Sequence, residues 1–135
     1  MRKKTIMKTL PLLFENKLTS KKQEESKATY ANKFLSKDRK INFYNSADNV
    51  YNHIRAHGPK PGSWFTYKGE RIKIIKAKKI NKSGESSTIL NKDFTIACKD
   101  GAISPLLIQR EGKKIVSLDD FLRGFAFVIQ DKLNA

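Results

Sequence analysis

The sequence has one cysteine and no long apolar run. Cys98 cannot form a disulfide within the chain, and the strand-like residues around it indicate a small buried thiol. No segment approaches the roughly 20 apolar residues that a membrane-spanning helix needs. Lys8 and Pro11 interrupt the apolar part of the N-terminal segment, which therefore differs from a signal peptide. We expect a cytoplasmic protein with no membrane partner.

Acidic residues are also scarce. Among 135 residues, 28 Lys and Arg face 13 Asp and Glu, which gives a formal net charge of +15. Such an excess of cations raises the local concentration of polyanions. The charge alone suits nucleic acid or an anionic membrane surface, and of these two we expect nucleic acid. The length fits one domain plus an appendage, and a hydrophobic content of 39% is enough for a core.

The appendage is predicted at the N-terminal side, over residues 1–45. Ile6, Leu10, Leu13 and Phe14 recur at helical spacing and predict a short amphipathic helix despite Pro11. The following residues, up to Lys40, are polar and lack a hydrophobic period, which indicates a basic linker. We therefore predict a compact domain over residues 46–135.

Residues 46–135 alternate short apolar runs with turn residues. Ser46 is placed to cap a helix that ends before Gly58, and Ser117 to cap a final helix with Asp120 three residues later. The runs between these helices predict strands at regular short spacing. We predict a mainly β protein with flanking helices, built as a small open Greek-key β-barrel of the oligonucleotide-binding (OB-like) type.

The strand "RIKIIKAKKI" concentrates cations. Its basic positions change from odd to even numbers at Ile74 and Ile75, which predicts a β-bulge there. With a bulge, one face carries the cations while Ile72, Ile74, Ile75 and Ala77 face the core. The predicted basic stripe consists of Arg71, Lys73, Lys76 and Lys78, with Lys79 at its rim. It suits contact with nucleic-acid phosphates, and the alternative is an ordinary solvated strand face.

Catalytic and metal sites are not indicated. His53 and His57 have the spacing of two ligands on a helix, but no third ligand accompanies them, so we predict no metal. Asp119 and Asp120 are explained by helix capping. No glycine-rich phosphate loop or activated nucleophile is present in the sequence, so no catalytic residue is assigned.

Several motifs together resemble a known family. They are "NVYNHIRAHGPKPGSWFTYKGERIKIIKAKKI", "FTIACKDGAISPLLIQREGKK" and "SLDDFLRG", with the pattern Arg-x-x-x-Pro-x-Pro-Gly-x-Trp followed by Gly-x-x-Ile-Lys-Ile. They resemble the C-terminal domain of bacterial methionyl-tRNA formyltransferases. Upstream, "ATYANKFLSKDRKINF" is similar to the interdomain linker of that family, and "MKTLPLLFENKLTSKKQ" to the last helix of its catalytic domain.

The resemblance implies a role in translation initiation. The family transfers a formyl group from 10-formyltetrahydrofolate to the amino group of methionine on initiator tRNA, and its folate site and catalytic residues lie in an N-terminal domain not matched here. The resemblance therefore implies that this chain binds no cofactor, is inactive alone and contributes tRNA binding. The residues implied in tRNA binding are Arg55, Arg71, Lys73, Lys76, Lys78 and Lys79.

Two alternatives remain. The chain could be a subunit of a split formyltransferase that docks a separate catalytic chain through residues 1–20. It could also be the C-terminal module of a relative that acts on sugar nucleotides or folate, which the strong positive charge disfavours.

Overall fold

The computed structural model describes residues 2–134. It divides into two compact units, one up to Lys33 and one from Phe34 onward. The helices are α1 (Arg2–Phe14), α2 (Ala47–His57) and α3 (Leu118–Gly124), with short 3-10 helices at Glu25–Lys27 and Ser36–Arg39. The strands are β1 (Ser63–Tyr67), β2 (Glu70–Ile80), β3 (Ile96–Ala97), β4 (Ala102–Arg110) and β5 (Ile115–Ser117).

The first unit consists of α1 and an exposed polar segment. The predicted N-terminal helix is confirmed and contains Pro11. Its apolar side chains are exposed, with Leu10 at 43% and Phe14 at 80%. No helix among residues 2–134 has both the length and the apolar character needed to cross a membrane.

The second unit begins before the predicted boundary at residue 46. Ile41 is 1% exposed and Phe43 is fully buried, and both belong to the hydrophobic core. The backbone amide of Ile41 donates to the carbonyl of Trp64 at 2.7 Å, which fixes this segment beside β1. Because polar residues surround Ile41 and Phe43 in the sequence, hydrophobic periodicity does not predict that these two residues are buried.

The five strands form one antiparallel sheet. Its order is β1-β2-β4-β3, and β5 also pairs with β4. The register of β2 against β4 shifts between Ile74 and Lys76 and again between Lys76 and Ala77. The predicted β-bulge is therefore confirmed.

The sheet is open, and the C-terminal segment lies along its edge. Asn134 donates its backbone amide to the carbonyl of Thr66 in β1 at 2.8 Å, and its side-chain oxygen accepts from the Thr66 amide at 3.0 Å. The amide of Leu133 donates to Ser87 at 2.7 Å. The prediction of mainly antiparallel β structure with flanking helices is confirmed, while the OB-like Greek-key barrel stays a prediction.

Both predicted helix caps around the sheet are confirmed. Ser46 accepts from the amide of Asn49 at the start of α2, and Ser117 accepts from the amide of Asp120 at 3.2 Å. α2 buries Val50 and Ile54, and α3 buries Phe121. The resulting core holds the long strands β2 and β4 rigid, and these strands carry the candidate site.

Candidate nucleic-acid interface

Four of the predicted site residues point away from the core along β2. On the side of β1, Arg71 pairs with Thr66 and Lys73 pairs with Trp64. On the side of β4, Lys73 pairs with Gln109. Beyond the bulge, Lys76 pairs with Leu107 and Lys78 with Ser104. The residues between these cations that belong to the core are Ile72, Ile74 and Ala77. Because neighbouring side chains alternate across a strand, Arg71, Lys73, Lys76 and Lys78 (the β2 cations) face away from that core.

The β2 cations form no salt bridge among the described residues. Every salt bridge among the described residues involves another Lys or Arg. Arg71 instead places its guanidinium 4.2 Å from the ring centroid of Trp64. A cation over an aromatic face stays available to an anion, because the ring supplies no full negative charge.

Lys79 is separated from the β2 cations. It forms an ion pair with Asp48 of α2, and its ammonium lies 5.7 Å from the ring centroid of Tyr51. Its register partner in β4 is the buried Ile103. The predicted rim position therefore lies toward α2, where a carboxylate compensates its charge.

Arg55 lies on α2, beside the same tyrosine. Its guanidinium is 5.8 Å from the ring centroid of Tyr51, and no salt bridge among the described residues includes it. Arg55 and Lys76 line one cavity between α2 and β2. The structure thus brings Arg55 together with one of the β2 cations.

Two basic residues in the predicted linker also reach this face. Arg39 donates toward the carbonyl of Pro61 at 3.4 Å, and Lys40 places its ammonium 5.7 Å from the ring centroid of Trp64. A cavity of about 150 Å³ is lined by Arg39 together with Trp64, Arg71 and Lys73, and its lining also includes one acidic residue, Glu111. We refer to Arg39, Lys40, Arg71, Lys73 and Trp64 as the Trp64 cluster.

Sequence reasoning missed Arg39 and Lys40 because their position depends on tertiary contacts. The indole nitrogen of Trp64 donates to the carbonyl of Ser36 at 2.9 Å, which ties the preceding segment to β1. One sequence feature does indicate the position of Arg39 and Lys40: the apolar residues Ile41 and Phe43, which are buried, follow them directly. An arginine and a lysine just before a buried pair are placed at the surface of the core.

The Trp64 cluster can bind phosphate. Guanidinium groups donate two parallel hydrogen bonds to phosphate oxygens, and lysines add charge with less directional demand. Arg71 and Lys73 lie on a paired strand, which holds these two cations at fixed spacing. Contacts of this kind position a nucleic-acid backbone without reading its sequence.

Other titratable groups offer no comparable site. The rings of His53 and His57 lie 4.6 Å apart, and His57 Nδ1 donates to the carbonyl of His53 at 2.9 Å. Within residues 2–134, no group of three or more His, Cys, Asp or Glu side chains could hold a metal ion. Burial, with a smaller effect from the charge of Asp100, raises the pKa of Cys98 to about 12.

The family is shown by sequence comparison. The family model described as "Formyl transferase, C-terminal domain" matches residues 33–126. The chain belongs to this family, and the predicted resemblance is confirmed.

The curated relatives it matches are named methionyl-tRNA formyltransferases. The protein from Pelagibacter ubique is 37% identical over 120 residues, which cover 88% of this chain and 39% of the relative. The protein from Rhizorhabdus wittichii is 39% identical over 106 residues, which cover 77% and 34%. The protein from Rickettsia bellii is 32% identical over 131 residues, which cover 96% and 42%. The chain thus spans about two fifths of the length of these relatives.

The same fold is found in known structures. HypX from Aquifex aeolicus, in complex with tetrahydrofolic acid, aligns with a TM-score of 0.65 at 16% identity. The alignment covers 88% of this chain and 23% of HypX. At this identity the likeness establishes the fold of the formyltransferase type.

Proposed function

We propose that this chain binds initiator tRNA as the C-terminal part of a methionyl-tRNA formyltransferase acting in translation initiation in the cytoplasm. The proposal is carried by one observation: the β2 cations form no salt bridge and face away from the core beside Trp64. The family and the names of the curated relatives support it. Formyl transfer from 10-formyltetrahydrofolate would use residues outside this chain, so the chain is inactive by itself.

The chemistry of the face favours recognition of the RNA backbone. Lys76 and Lys78 are exposed, whereas Trp64 is 8% exposed and lies below Arg71. A buried tryptophan cannot stack on several bases, but it can hold the guanidinium above it in place. Binding then depends on charge and on the spacing of phosphates more than on base identity.

Salt dependence tests this mode of binding. If about five phosphates are engaged, the logarithm of the affinity for initiator tRNA falls against the logarithm of salt concentration with a slope of about −4. Fluorescence anisotropy of labelled tRNA over a salt series measures this slope. Affinity that stays constant over the series, or no binding at low salt, contradicts the proposal.

Charge reversal locates the interface. The double variant Lys73→Glu and Lys76→Glu reverses two β2 cations, and we expect the salt slope to fall by about 2. The matched control is Lys92→Glu with Lys99→Glu, two exposed lysines outside the strands that produce the same change of net charge. Equal losses of affinity in both double variants would show that net charge alone binds tRNA.

A relative that acts on folate is the second candidate. The observation that favours it is the fold likeness to HypX, whose structure contains tetrahydrofolic acid. In that case the reversal of Lys73 and Lys76 leaves tRNA affinity unchanged. The same titration therefore separates the two candidates.

A split enzyme, in which this chain docks a separate catalytic chain, is the third candidate. The apolar side chains of α1, including Ile6 at 54% and Leu13 at 55% exposed, would form the contact within residues 1–20. Addition of this chain to an isolated formyltransferase catalytic domain should then raise tRNA formylation. No increase at micromolar concentrations counts against a split enzyme.

We also propose that the sheet is a small OB-like barrel of Greek-key type. The hydrogen bonds from residues 133 and 134 to Ser87 and Thr66 support this, because they link segments on the two sides of the sheet opening. Amide hydrogen exchange tests it. The amides of Leu133 and Asn134 should exchange as slowly as those of β2, and fast exchange at both would leave only an open sheet.

A further inference from the structure

A second cavity lies between α2 and the bulge of β2. Its volume is about 400 Å³, which is in the range of small-molecule sites. Its apolar floor includes Ile75, Ala77 and Leu107, and Tyr51 forms part of a wall. The two charged residues in its lining are Arg55 and Lys76.

Gly58 and the bulge produce this cavity. At the bulge the alternation of β2 is interrupted, and Ile75 lies toward the turn that follows α2. A Cβ on Gly58 would lie 3.0 Å from the carbonyl oxygen of Ile75 and 3.3 Å from that of Ile54. A side chain at position 58 would therefore require the turn and the bulge to move apart by a few tenths of an ångström.

The lining has the chemistry of a site for a flat apolar group that bears a negative charge. No acidic residue is among its lining residues, and both cations are exposed. The guanidinium of Arg55 lies 5.8 Å from the ring centroid of Tyr51. Aromatic rings and guanidinium planes are the groups on which unpaired bases stack in RNA complexes.

The cavity continues toward the Trp64 cluster. Pro59 lines it and also lines a neighbouring cavity with Arg39 and Lys73. An RNA backbone that runs from the Trp64 cluster past Pro59 would reach the opening of the second cavity. Lys76, at that opening, is in position to contact the next phosphate.

We propose that this cavity receives one unpaired nucleotide of the bound RNA, with the base on the apolar floor beside Tyr51 and its phosphate at Arg55 and Lys76. This inference rests on the proposed RNA binding and adds a preference for RNA that contains an unpaired nucleotide. A duplex that satisfies only the phosphate contacts binds more weakly than the same duplex with an extruded base.

The test uses the full chain and two labelled RNA hairpins, one fully paired and one with a single bulged nucleotide. We expect the unchanged protein to bind the bulged hairpin about tenfold more tightly, as the stacking of one base allows. Leu107→Trp fills the cavity and should abolish this preference, so that the two hairpins bind with about equal affinity. The affinity for the paired hairpin should stay the same. The control is Leu106→Trp, because Leu106 is a half-buried neighbour that lines a different cavity.

A second variant covers the case in which Leu107→Trp does not fold. Tyr51→Leu removes the ring and keeps an apolar side chain, and it should also abolish the preference for the bulge.

Equal affinity of the unchanged protein for both hairpins, with a steep salt slope, overturns this inference and leaves RNA binding intact. Failure to bind either hairpin or tRNA overturns the proposed function itself. Competition by dodecyl phosphate without any preference for the bulge would assign the cavity to an anionic lipid and overturn the inference.

Discussion

Trp64 joins the basic face to the core at the scale of single residues. Its indole nitrogen donates to Ser36, and its backbone carbonyl accepts from Ile41. Arg71 and Lys40 both lie over its ring. One side chain therefore fixes the N-terminal segment of the unit and orients two cations. Replacement of Trp64 would disturb both stability and charge, so it is a poor probe of binding alone.

Cys98 allows a clean chemical prediction. Its side chain is 1% exposed, and burial raises its pKa to about 12. Relative to a free thiol, its thiolate fraction near neutral pH is about a thousandfold lower. We expect negligible reaction with Ellman's reagent in the folded protein and prompt reaction in guanidinium chloride. Rapid reaction before unfolding would place the thiol at the surface.

Tyr67 connects β1 to the C-terminal segment through its hydroxyl. The hydroxyl donates to Asp131 at 2.6 Å and accepts from the amide of Val128 at 3.1 Å. Tyr67→Phe removes both hydrogen bonds, leaves Asp131 with its ion pair to Lys68, and should lower the melting temperature by about 5 °C. The control is Tyr44→Phe, because Tyr44 is 60% exposed. Similar melting temperatures for the two variants would mean that the hydroxyl adds nothing to stability.

At the scale of elements, β2 was predictable and the segment before α2 was not. The basic positions of β2 change from odd to even residue numbers at Ile74 and Ile75. This change predicts the bulge, because successive side chains of a regular strand point to alternate faces. Ser46 and Ser117 mark helix starts through local hydrogen bonds, which sequence also reveals. In contrast, Arg39 reaches the site only through contacts with residues more than 20 positions away.

The C-terminal edge of the sheet shows the same limit. The run "STIL" predicts a strand, but Thr88 and Ile89 form isolated bridges, one of them with Lys132. Pairing between segments more than 40 residues apart leaves no local pattern. The strand-like character of Thr88 and Ile89 was therefore predictable, whereas the pairing of Thr88 with Lys132 was not.

His53 makes α2 sensitive to pH. Burial lowers the pKa of His53, and the charge of the nearby His57 lowers it further, while the backbone of Arg39 opposes both. The unfolded state therefore binds more protons than the folded state below the ordinary histidine pKa of 6.5. This contribution to stability is complete above that value and is lost as the pH falls toward the folded pKa.

Urea unfolding between about pH 7.5 and about pH 5 measures this effect. The urea concentration at the unfolding midpoint should decrease as the pH falls across this interval. This dependence on pH should be weaker in His53→Asn. The pKa values of Glu70 and Asp131 are lowered by hydrogen bonds from Arg110 and from Tyr67, so these carboxyls titrate below the interval. An unchanged slope in His53→Asn would assign the pH dependence to other groups.

For the whole molecule, the two compact units differ in what they bury. Residues 3–33 are all exposed, whereas the core lies between Ile41 and Leu133. Residues 34–135 hold 19 of the 28 Lys and Arg and include the complete Trp64 cluster. Stability and RNA binding should therefore both belong to the second unit.

Removal of residues 1–33 tests this division. Because no core residue is lost, we expect the truncated protein to unfold at the same urea concentration as the full chain, within about 0.5 kcal/mol in unfolding free energy. The slope of tRNA affinity against salt should also be retained, since the Trp64 cluster, Lys76 and Lys78 remain. Brief trypsin treatment of the full chain provides an independent check, as cleavage should concentrate at the exposed Lys21, Lys22, Lys27 and Lys33. A shallower slope after truncation would show that cations before Phe34 share in binding, and a lower midpoint would show that the first unit supports the fold.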